Sequence, residues 1–212
     1  MRSRRGSTNK KRSASMSTRK PHQTRARGVI ILLALGAALP ALALIPVPDF
    51  TLSRYFGLWY EIASIPGSFR NRCARDTVTE YAPDEDGAMI LRTRCTHADG
   101  SSEQSEGRAR PLDPDVPAVL KVTYVNQLGI WWYTFGRNQV VIANGRDYDW
   151  LVIGEPSVTS GRILSRKPSM SDEALRGAMT ALAEAKYDLC AFTMKPQAGG
   201  RTQASRLCDE AQ

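Results

Sequence analysis

The strongest structural constraint in this sequence is the stretch Phe56-Gly57-Leu58-Trp59-Tyr60-Glu61-Ile62-Ala63. Its aromatic and β-branched residues predict the first part of a strand over residues 58–65. Side chains along a strand point alternately to its two faces. With Trp59 on the interior face, we therefore expect Glu61 and Ala63 to face the interior too. A carboxylate there could act as a general acid or base, but hydrogen bonding across the interior is the simpler role for Glu61.

Short strand-forming runs continue through most of the remaining chain, separated by Gly, Pro, Asp and Asn. A tight turn is predicted at Asp84–Gly87 and a second at Asp99-Gly100, where glycine tolerates the backbone conformation of a turn. About eight strands at this spacing favour a sandwich or a closed barrel. The predicted strands are 58–65, 77–82, 89–95, 103–110, 119–126, 131–135 continuing to 140–143, 148–153 and 161–166.

Two of these runs suggest an interior that is not fully packed. Leu120, Val122 and Tyr124 share one face of their strand. The small residues Gly107 and Ala109 share a face of the preceding strand, which leaves room on that side. A wall of large apolar groups opposite small ones is typical of an enclosed cavity, although packed sandwiches show the same mixture.

One segment changes from strand to helix periodicity. Residues 171–186 carry apolar side chains at helical spacing, with Ser171 as the expected N-cap and Asp172 and Glu173 in the first turn. A short strand is predicted over 189–194. Residues 197–212 show no pattern of burial, and we expect a flexible tail there, after a domain of residues 44–196.

The charge of the chain is unevenly distributed. The whole sequence has a net charge of +8, but residues 1–43 hold ten Lys and Arg without any Asp or Glu. The remaining residues hold nineteen basic and twenty-one acidic side chains, a net charge of −2. A basic surface that follows nucleic-acid phosphates is therefore not expected on the folded domain.

The basic head is followed by an uncharged apolar run, Val29–Leu44, and by Ala41-Leu42-Ala43, a small-x-small cleavage pattern. These features predict a signal peptide over residues 1–43, with Met1 or Met16 as the start. A membrane anchor is the alternative, although the run is shorter than the roughly 20 residues of a span. No Cys directly follows the run, so we expect an exported protein, periplasmic or associated with the outer membrane, that is not a lipoprotein.

Export permits disulfides, and the four cysteines are Cys73, Cys95, Cys190 and Cys208. Cys73 and Cys95 lie about three positions from directly opposite across the hairpin that turns at 84–87, which predicts a disulfide between them. No CxxC pair and no zinc-module spacing occurs, so neither a metal site nor a cofactor is expected.

Three motifs in the same order resemble those of the lipocalin family. The first, Gly57-Leu58-Trp59, lies in a WYEIA context similar to that of bacterial lipocalins and the apolipoprotein D-like branch. The second is Asp147-Tyr148-Asp149-Trp150, and the third is Ile163–Pro168 with Arg166 near its centre. Each motif alone is weak, but together they cover nearly the whole domain.

The resemblance implies an all-β fold: an eight-stranded antiparallel up-and-down barrel with one C-terminal helix packed outside. It implies that Arg166 crosses over Trp59 at the closed base and that Phe50–Tyr55 forms a short helical plug. The base motif then comprises Gly57, Trp59, Asp147, Tyr148 and Arg166. The resemblance also offers another disulfide, Cys73 to Cys208, and the partners of Cys190 and Cys208 stay open.

The chain departs from the family pattern at Arg162, which stands where an aromatic residue would line the interior. Arg162 either reaches solvent at the strand start or supplies a cation to a ligand carboxylate or phosphate. The ligand-binding residues implied by the strand faces and by the resemblance are Glu61, Ala63, Tyr81, Leu120, Val122, Tyr124 and Arg162.

The function implied is binding rather than catalysis. The resemblance favours a small hydrophobic or amphipathic ligand, a fatty acid or a lysophospholipid-like molecule, for lipid transport, storage or envelope maintenance. A lipocalin-like isomerase or synthase acting on a bound lipid or pigment is the alternative, and a closed barrel that only mediates interactions is a third possibility. Oligomeric state and contact with a membrane surface stay open.

Overall fold

The computed structural model describes residues 44–67 and 72–211. The predicted signal peptide over residues 1–43 lies outside the described residues. Within the described part of the chain, no helix is both long and apolar enough to cross a membrane. The described residues form a short helix α1, a longer helix α2 and twelve strands, eight of which are paired around a barrel.

The elements follow the predicted order along the chain. The helices are α1 (Leu52–Tyr55) and α2 (Asp172–Glu184). The barrel strands are β1 (Gly57–Ser64), β2 (Arg75–Pro83), β3 (Met89–Thr96), β4 (Ser102–Pro111), β5 (Val119–Thr123), β8 (Arg137–Asn144), β9 (Trp150–Gly154) and β10 (Gly161–Ser165). Four two-residue strands lie outside the barrel wall: β6 (Asn126–Gln127), β7 (Ile130–Trp131), β11 (Thr193–Met194) and β12 (Ser205–Arg206).

The barrel closes because β10 pairs with β1. Each of the eight strands is antiparallel to its two neighbours, and Tyr60 lies opposite Ser165 across the closing pair. The predicted eight-stranded antiparallel barrel is therefore confirmed. Closure leaves no free edge along the wall, which removes the unpaired backbone groups of an open sheet.

Arg166 closes the base of the barrel. Its guanidinium carbon lies 3.7 Å from the centre of the Trp59 ring. The same group donates hydrogen bonds to the carbonyl oxygens of Leu58, Arg54 and Tyr148, at 3.1, 2.7 and 3.3 Å. These bonds join β1, the helical plug and the turn before β9. Gly57 has φ +102°, and a Cβ added there would lie 3.1 Å from Arg166 Nη1, so this close approach requires glycine.

The helical plug is α1, within the range predicted by the resemblance. Tyr55 is fully buried beneath the barrel, and the Trp59 indole N–H donates to the Tyr55 carbonyl at 2.7 Å. The Tyr148 hydroxyl accepts a hydrogen bond from the Thr51 amide at 2.8 Å. Asp147 next to it is exposed on the turn. The base is thus sealed by aromatic rings that belong to three separate segments.

Helix α2 packs against the outside of the barrel, as predicted. The Ser171 side chain caps it by accepting a hydrogen bond from the Ala174 amide at 3.3 Å. Ala178, Met179 and Leu182 are buried within an outer cluster that includes residues of β1, β9 and β10. The barrel wall therefore separates two apolar layers, an interior one and an outer one.

A bulge in β1 changes which side chains face the interior. The pairing with β10 shifts register between Glu61 and Ala63. An extra residue at this point reverses the alternation, so Ala63 joins Ile62 in the outer cluster. Ser64 returns to the interior side, where its hydroxyl donates to Glu61 Oε1 at 2.7 Å. The prediction that Ala63 faces the interior is therefore wrong, because strict alternation assumes an unbroken ladder.

The connection after β5 also differs from the prediction. Residues 131–135 are not a barrel strand: β6 and β7 form a small hairpin, followed by a 3-10 turn at Tyr133–Phe135. Leu128 and Gly129 both have positive φ, and the Gly129 amide donates to the Asn126 side chain at 3.1 Å. Local turn geometry therefore interrupts a run whose composition alone predicts a strand.

The C-terminal segment 197–212 differs from the predicted flexible tail, because the structure places its described part against the barrel. Leu207 is fully buried in the outer cluster, and its amide bonds to the Phe192 carbonyl at 3.0 Å. The Gln197 side chain is buried and donates to the carbonyls of Glu61 and Thr77, at 2.8 and 3.1 Å. Sequence composition missed this packing because it depends on few buried side chains.

Two disulfides join distant parts of the chain. Cys73 pairs with Cys95, in agreement with the hairpin prediction, and their Cα atoms lie 5.5 Å apart. Cys190 pairs with Cys208, so the alternative Cys73–Cys208 bond is absent. The first bond crosses the β2–β3 hairpin at the open end of the barrel, and the second holds the C-terminal segment to the outer layer.

We predict that Arg166→Ala lowers the free energy of unfolding by about 2–4 kcal/mol. The variant loses the contact with the Trp59 ring and three charge-assisted hydrogen bonds. Arg146→Ala is the matched control, since Arg146 is exposed on the same turn and should change stability by less than about 0.5 kcal/mol. Chemical denaturation followed by circular dichroism measures both, and equal stabilities would contradict the structural role of Arg166.

Candidate functional site

The lower half of the barrel interior is apolar and filled. Its buried side chains interlock around Trp59 and continue upward along the walls as Tyr81, Met89, Leu91, Leu120, Val122, Val141, Leu151, Ile153 and Leu164. The Tyr55 ring rises from the plug to lie 4.3 Å, centre to centre, from the Tyr81 ring. This part of the interior acts as a solid floor.

Above this floor, the interior contains a buried charge. The Arg162 side chain points inward and is only 4% exposed, so it does not reach solvent. Its Nη2 donates to Gln139 Oε1 at 2.7 Å. Gln139 lies on β8 directly opposite Leu120 of β5, and both are buried. The interior is therefore polar at the level where the resemblance predicts an aromatic residue.

The guanidinium keeps its charge despite this burial. Burial alone would lower the pKa of Arg162, but its neighbours outweigh this effect and the net shift of the pKa is upward. The neighbours that raise it are, in decreasing order, Tyr81, Tyr124, Tyr55 and Glu61. A permanent cation thus lies among tyrosine rings and one carboxylate, in the middle of the barrel.

Two buried hydroxyls lie near this cation without a hydrogen-bond partner among the described residues. They belong to Tyr55 and Tyr81, and the Thr77 hydroxyl nearer the mouth is a third such group. Burial, with a smaller contribution from Tyr81, raises the pKa of Tyr55 well above its usual value. A buried polar group without a partner costs about 1–3 kcal/mol, so these hydroxyls mark a place where an acceptor would be favoured.

The remaining open space is small. A cavity of about 50 Å³ lies at the mouth side of the interior, lined by Glu61, Cys73, Thr77, Thr93, Cys95, Glu103, Ser105 and Tyr124. Sites for drug-sized ligands usually enclose about 300–1,000 Å³. A long ligand can enter this barrel only if side chains above Arg162 move.

Tyr124 accounts for much of the lost space. A Cβ added to Gly107 would lie 2.8 Å from the Tyr124 ring, so the ring packs directly on the glycine backbone. The room that Gly107 and Ala109 are predicted to leave is thus occupied at Gly107, while Ala109 is buried in the core. Alternation along a strand predicts which face a side chain is on, but it does not predict which rotamer occupies the space over Gly107.

The structure brings most predicted ligand-binding residues together. Glu61, Tyr81, Leu120, Val122, Tyr124 and Arg162 all belong to the interior, and Ala63 does not. Sequence reasoning missed Tyr55, Gln139 and Ser64. Gln139 could have been found, because it lies two residues before Val141 on one face of β8. Ser64 could not, since its position depends on the bulge.

A second polar network lies on the rim, at the β3–β4 turn. His97 Nε2 lies 2.8 Å from Glu103 Oε2, and His97 Nδ1 lies 3.0 Å from the Ser101 hydroxyl oxygen. That hydroxyl donates to Asp99 at 2.6 Å, and this bond with the Ser101 amide holds the pKa of the Asp99 carboxyl below its usual value. Because the Ser101 proton is directed to Asp99, the network stabilises the turn and does not prepare a serine nucleophile.

A family model described as a lipocalin-like domain matches residues 50–197. The chain is 28% identical over 174 residues to the outer membrane lipoprotein Blc of Escherichia coli (strain K12), covering 82% of this chain and 94% of that protein. It is 30% identical over 160 residues to temperature-induced lipocalin-1 of Arabidopsis thaliana, covering 71% and 81%.

A shorter match joins the chain to apolipoprotein D of Macaca fascicularis, with 36% identity over 77 residues, 36% of this chain and 39% of that protein. Among solved structures, insecticyanin from the tobacco hornworm Manduca sexta aligns with a TM-score of 0.57 at 18% identity, covering 76% and 91% of the two chains. Lobster apocrustacyanin A1 aligns with a TM-score of 0.55 at 17% identity, covering 69% and 79%. These structural likenesses show the fold.

Tyr55→Phe should leave the free energy of unfolding unchanged or raise it by up to about 1 kcal/mol, because it removes a buried hydroxyl that has no partner. Tyr187→Phe is the matched control, since the Tyr187 hydroxyl bonds to the Glu155 amide and to the carbonyls of Glu155 and Ser160. Its loss should cost about 1–3 kcal/mol.

The same pair of variants tests the raised pKa of Tyr55. An acid whose pKa is higher in the folded state stabilises the fold below its unfolded pKa, near 10 for tyrosine, and this contribution is lost as the pH rises further. Tyr55→Phe should therefore lose less stability than the native protein between about pH 9 and 11. Denaturation at several pH values measures this, and identical slopes would contradict the burial of an ionisable Tyr55.

Proposed function

The chain belongs to the lipocalin family, and we propose that it binds a small amphipathic molecule whose anionic head group reaches Arg162 inside the barrel. The single observation that carries the proposal is the buried Arg162 guanidinium beside the partnerless hydroxyls of Tyr55 and Tyr81. A carboxylate or phosphate supplies several acceptor lone pairs, which suit a guanidinium and two hydroxyl donors together.

The floor determines the direction in which such a ligand lies. Because the lower interior is filled around Trp59, the head group stops at Arg162 and the apolar chain points toward the mouth. There it meets the Cys73–Cys95 disulfide and the Tyr124 ring. Rotation of Tyr124 away from Gly107 opens the space for the chain, and each CH₂ removed from water contributes about 0.8 kcal/mol.

Glu61 is part of the same site and moderates its charge. It accepts a hydrogen bond from Ser64 and lies close enough to raise the pKa of Arg162. A head group with one negative charge meets less repulsion from this carboxylate than a dianion does. The favoured ligands are therefore fatty acids and lysophospholipid-like molecules with a single anionic group.

Binding, without a reaction, is the activity proposed. The Ser101, His97 and Asp99 network lies on an exposed turn, outside the interior, and its serine proton is directed to a carboxylate. Inside the barrel, Glu61 is hydrogen-bonded and Arg162 holds its proton. Burial of a ligand needs neither of these groups to change its protonation state.

Lipid transport or storage in the cell envelope is the role that fits this site. The Escherichia coli relative is named an outer membrane lipoprotein, as is the relative from Vibrio cholerae. Two disulfides in the described residues are typical of an oxidising compartment outside the cytoplasm. The basic head and apolar run over residues 1–43 supply the export signal.

Export predicts that the chain recovered from cells begins near Leu44 with a free amino group. We expect this because cleavage after Ala41-Leu42-Ala43 removes the apolar run, and no Cys directly follows it for acylation. Mass spectrometry of the N-terminal peptide from fractionated cells measures both points. A membrane-bound chain that retains residues 29–43, or an acylated N-terminus, would contradict the prediction.

Arg162→Met should weaken palmitate binding about tenfold more than it weakens binding of hexadecanol, because only the acid uses the cation. Competition against a fluorescent fatty acid measures both affinities. Lys121→Met is the matched control, since Lys121 lies one residue from inward-facing Leu120 and points to the outside, where it donates to Asn138 at 3.1 Å.

Two further results decide the outcome. Arg162→Lys should keep most of the preference for the acid, and near-ultraviolet circular dichroism checks that each variant folds. Equal losses for acid and alcohol would show that Arg162 acts through packing. A native protein from which no ligand can be displaced would instead favour a closed barrel that serves only as an interaction module.

A further inference from the structure

The connection between β5 and β8 carries an exposed apolar surface. Among the large hydrophobic side chains exposed in the described residues, four lie within residues 128–135: Leu128 is 102% exposed, Phe135 66%, Ile130 64% and Trp132 42%. The Trp132 and Phe135 rings stack, with their centres 6.0 Å apart. We call these four residues the apolar ridge. Single exposed apolar side chains are ordinary, whereas a cluster marks an interaction surface.

The chain beneath the ridge is held in place. The Thr123 hydroxyl donates to the Trp132 carbonyl at 2.9 Å, and the Trp132 amide bonds to the Val125 carbonyl at 2.9 Å. Trp131 and Tyr133 turn toward the barrel wall, where guanidinium groups lie 4.7 and 4.4 Å from their ring centres. The ridge is therefore a surface presented to the outside by an anchored segment of the chain.

Basic side chains border the ridge, and Asp84 and Glu106 on the same side of the wall are both paired with Arg108. Residues 116–146 contain no Asp or Glu, and three basic residues. A groove beside the ridge is lined by Arg110 and Lys121 together with Ile130 and Trp132. Arg110 rests on the Tyr133 ring, and Lys121 donates to the neutral Asn138 side chain. Exposed apolar side chains beside Arg110 and Lys121 complement a surface with an apolar interior and an anionic outer layer.

A second copy of this chain fits the ridge less well. A symmetric dimer brings the same patch together from both subunits, so Arg110 and Lys121 of each copy would face those of the other. Like charges in such an interface oppose association. An anionic bilayer satisfies the same side chains, since aromatic rings favour the interface and basic groups favour lipid phosphates.

We propose that the apolar ridge inserts into the surface of an anionic lipid bilayer, with Arg110 and Lys121 contacting lipid phosphates beside it. The contact is reversible, because four apolar side chains bury far less surface than a membrane span does. It does not depend on ligand binding in the barrel, which lies on the other side of the wall.

The test compares the native protein recovered from cells with four variants, using vesicles of phosphatidylcholine with and without phosphatidylglycerol. Leu128→Ser/Ile130→Ser removes half of the ridge, and Val116→Ser is the matched control, since Val116 is exposed in the loop between β4 and β5. Binding is measured by co-sedimentation and by quenching of tryptophan fluorescence by lipids brominated in their acyl chains. Quenching reports on the ridge, because Trp132 is exposed there while Trp59 is buried. Loss of the quenching in Trp132→Phe identifies Trp132 as the quenched residue.

We expect the double variant to bind anionic vesicles at least tenfold more weakly than the native protein, and Val116→Ser to bind within twofold of it. Arg110→Gln/Lys121→Gln should bind vesicles that contain phosphatidylglycerol more weakly than the native protein does, and should bind pure phosphatidylcholine vesicles as the native protein does. Near-ultraviolet circular dichroism shows that the variants fold. Unchanged binding and quenching in Leu128→Ser/Ile130→Ser would overturn the proposal. Sedimentation velocity tests for a dimer of the native protein, and a dimer that Leu128→Ser/Ile130→Ser dissociates would also overturn it.

Discussion

The contact between the Arg166 guanidinium and the Trp59 indole is the interaction on which the rest of the barrel depends. Trp59 lies in β1 and Arg166 directly follows β10, the two strands whose pairing closes the wall. The guanidinium also holds the plug through the Arg54 carbonyl and the adjoining turn through the Tyr148 carbonyl. A desolvated cation over an aromatic face, with its donors used on backbone carbonyls, ties the closing seam to the base. Because the wall closes at this point, each of the eight barrel strands is paired with two neighbours.

The well-packed base lets the fold tolerate a buried charge and buried hydroxyls without partners in the interior above it. Arg162 is a second arginine, four residues before Arg166 in the chain. It points into the barrel among Tyr55, Tyr81 and Tyr124. Arg166 has its donors occupied by backbone, while Arg162 has a side-chain amide and nearby hydroxyls that lack partners. Natural proteins commonly place such locally unfavourable arrangements where they act, and the surrounding fold supplies the stability.

The two ends of the molecule therefore have different physical characters. The base is sealed by aromatic rings, and the outer layer is secured by α2 and by the Cys190–Cys208 bond. The mouth has the Cys73–Cys95 bond and polar walls, whereas the apolar ridge lies on the outside of the wall beside Arg110 and Lys121. The base is the more tightly packed end, and the open space of the interior lies on the mouth side.

The sequence by itself predicted the strands, turns and outer helix, because strand alternation, turn residues and helix periodicity act locally and each is visible in one short stretch. These patterns left a sandwich or a closed barrel open, and only the resemblance favoured the barrel. It also predicted the stacking of Arg166 on Trp59 by resemblance, and the Cys73–Cys95 pair from the position of one hairpin turn. Only the tertiary structure decided the side of the wall for Ala63, since a bulge arises from pairing with β10. Only the tertiary structure also showed that Tyr124 fills the space over Gly107 and that Leu207 is buried. Those outcomes depend on which distant atoms meet, a choice that packing makes among residues far apart in the chain.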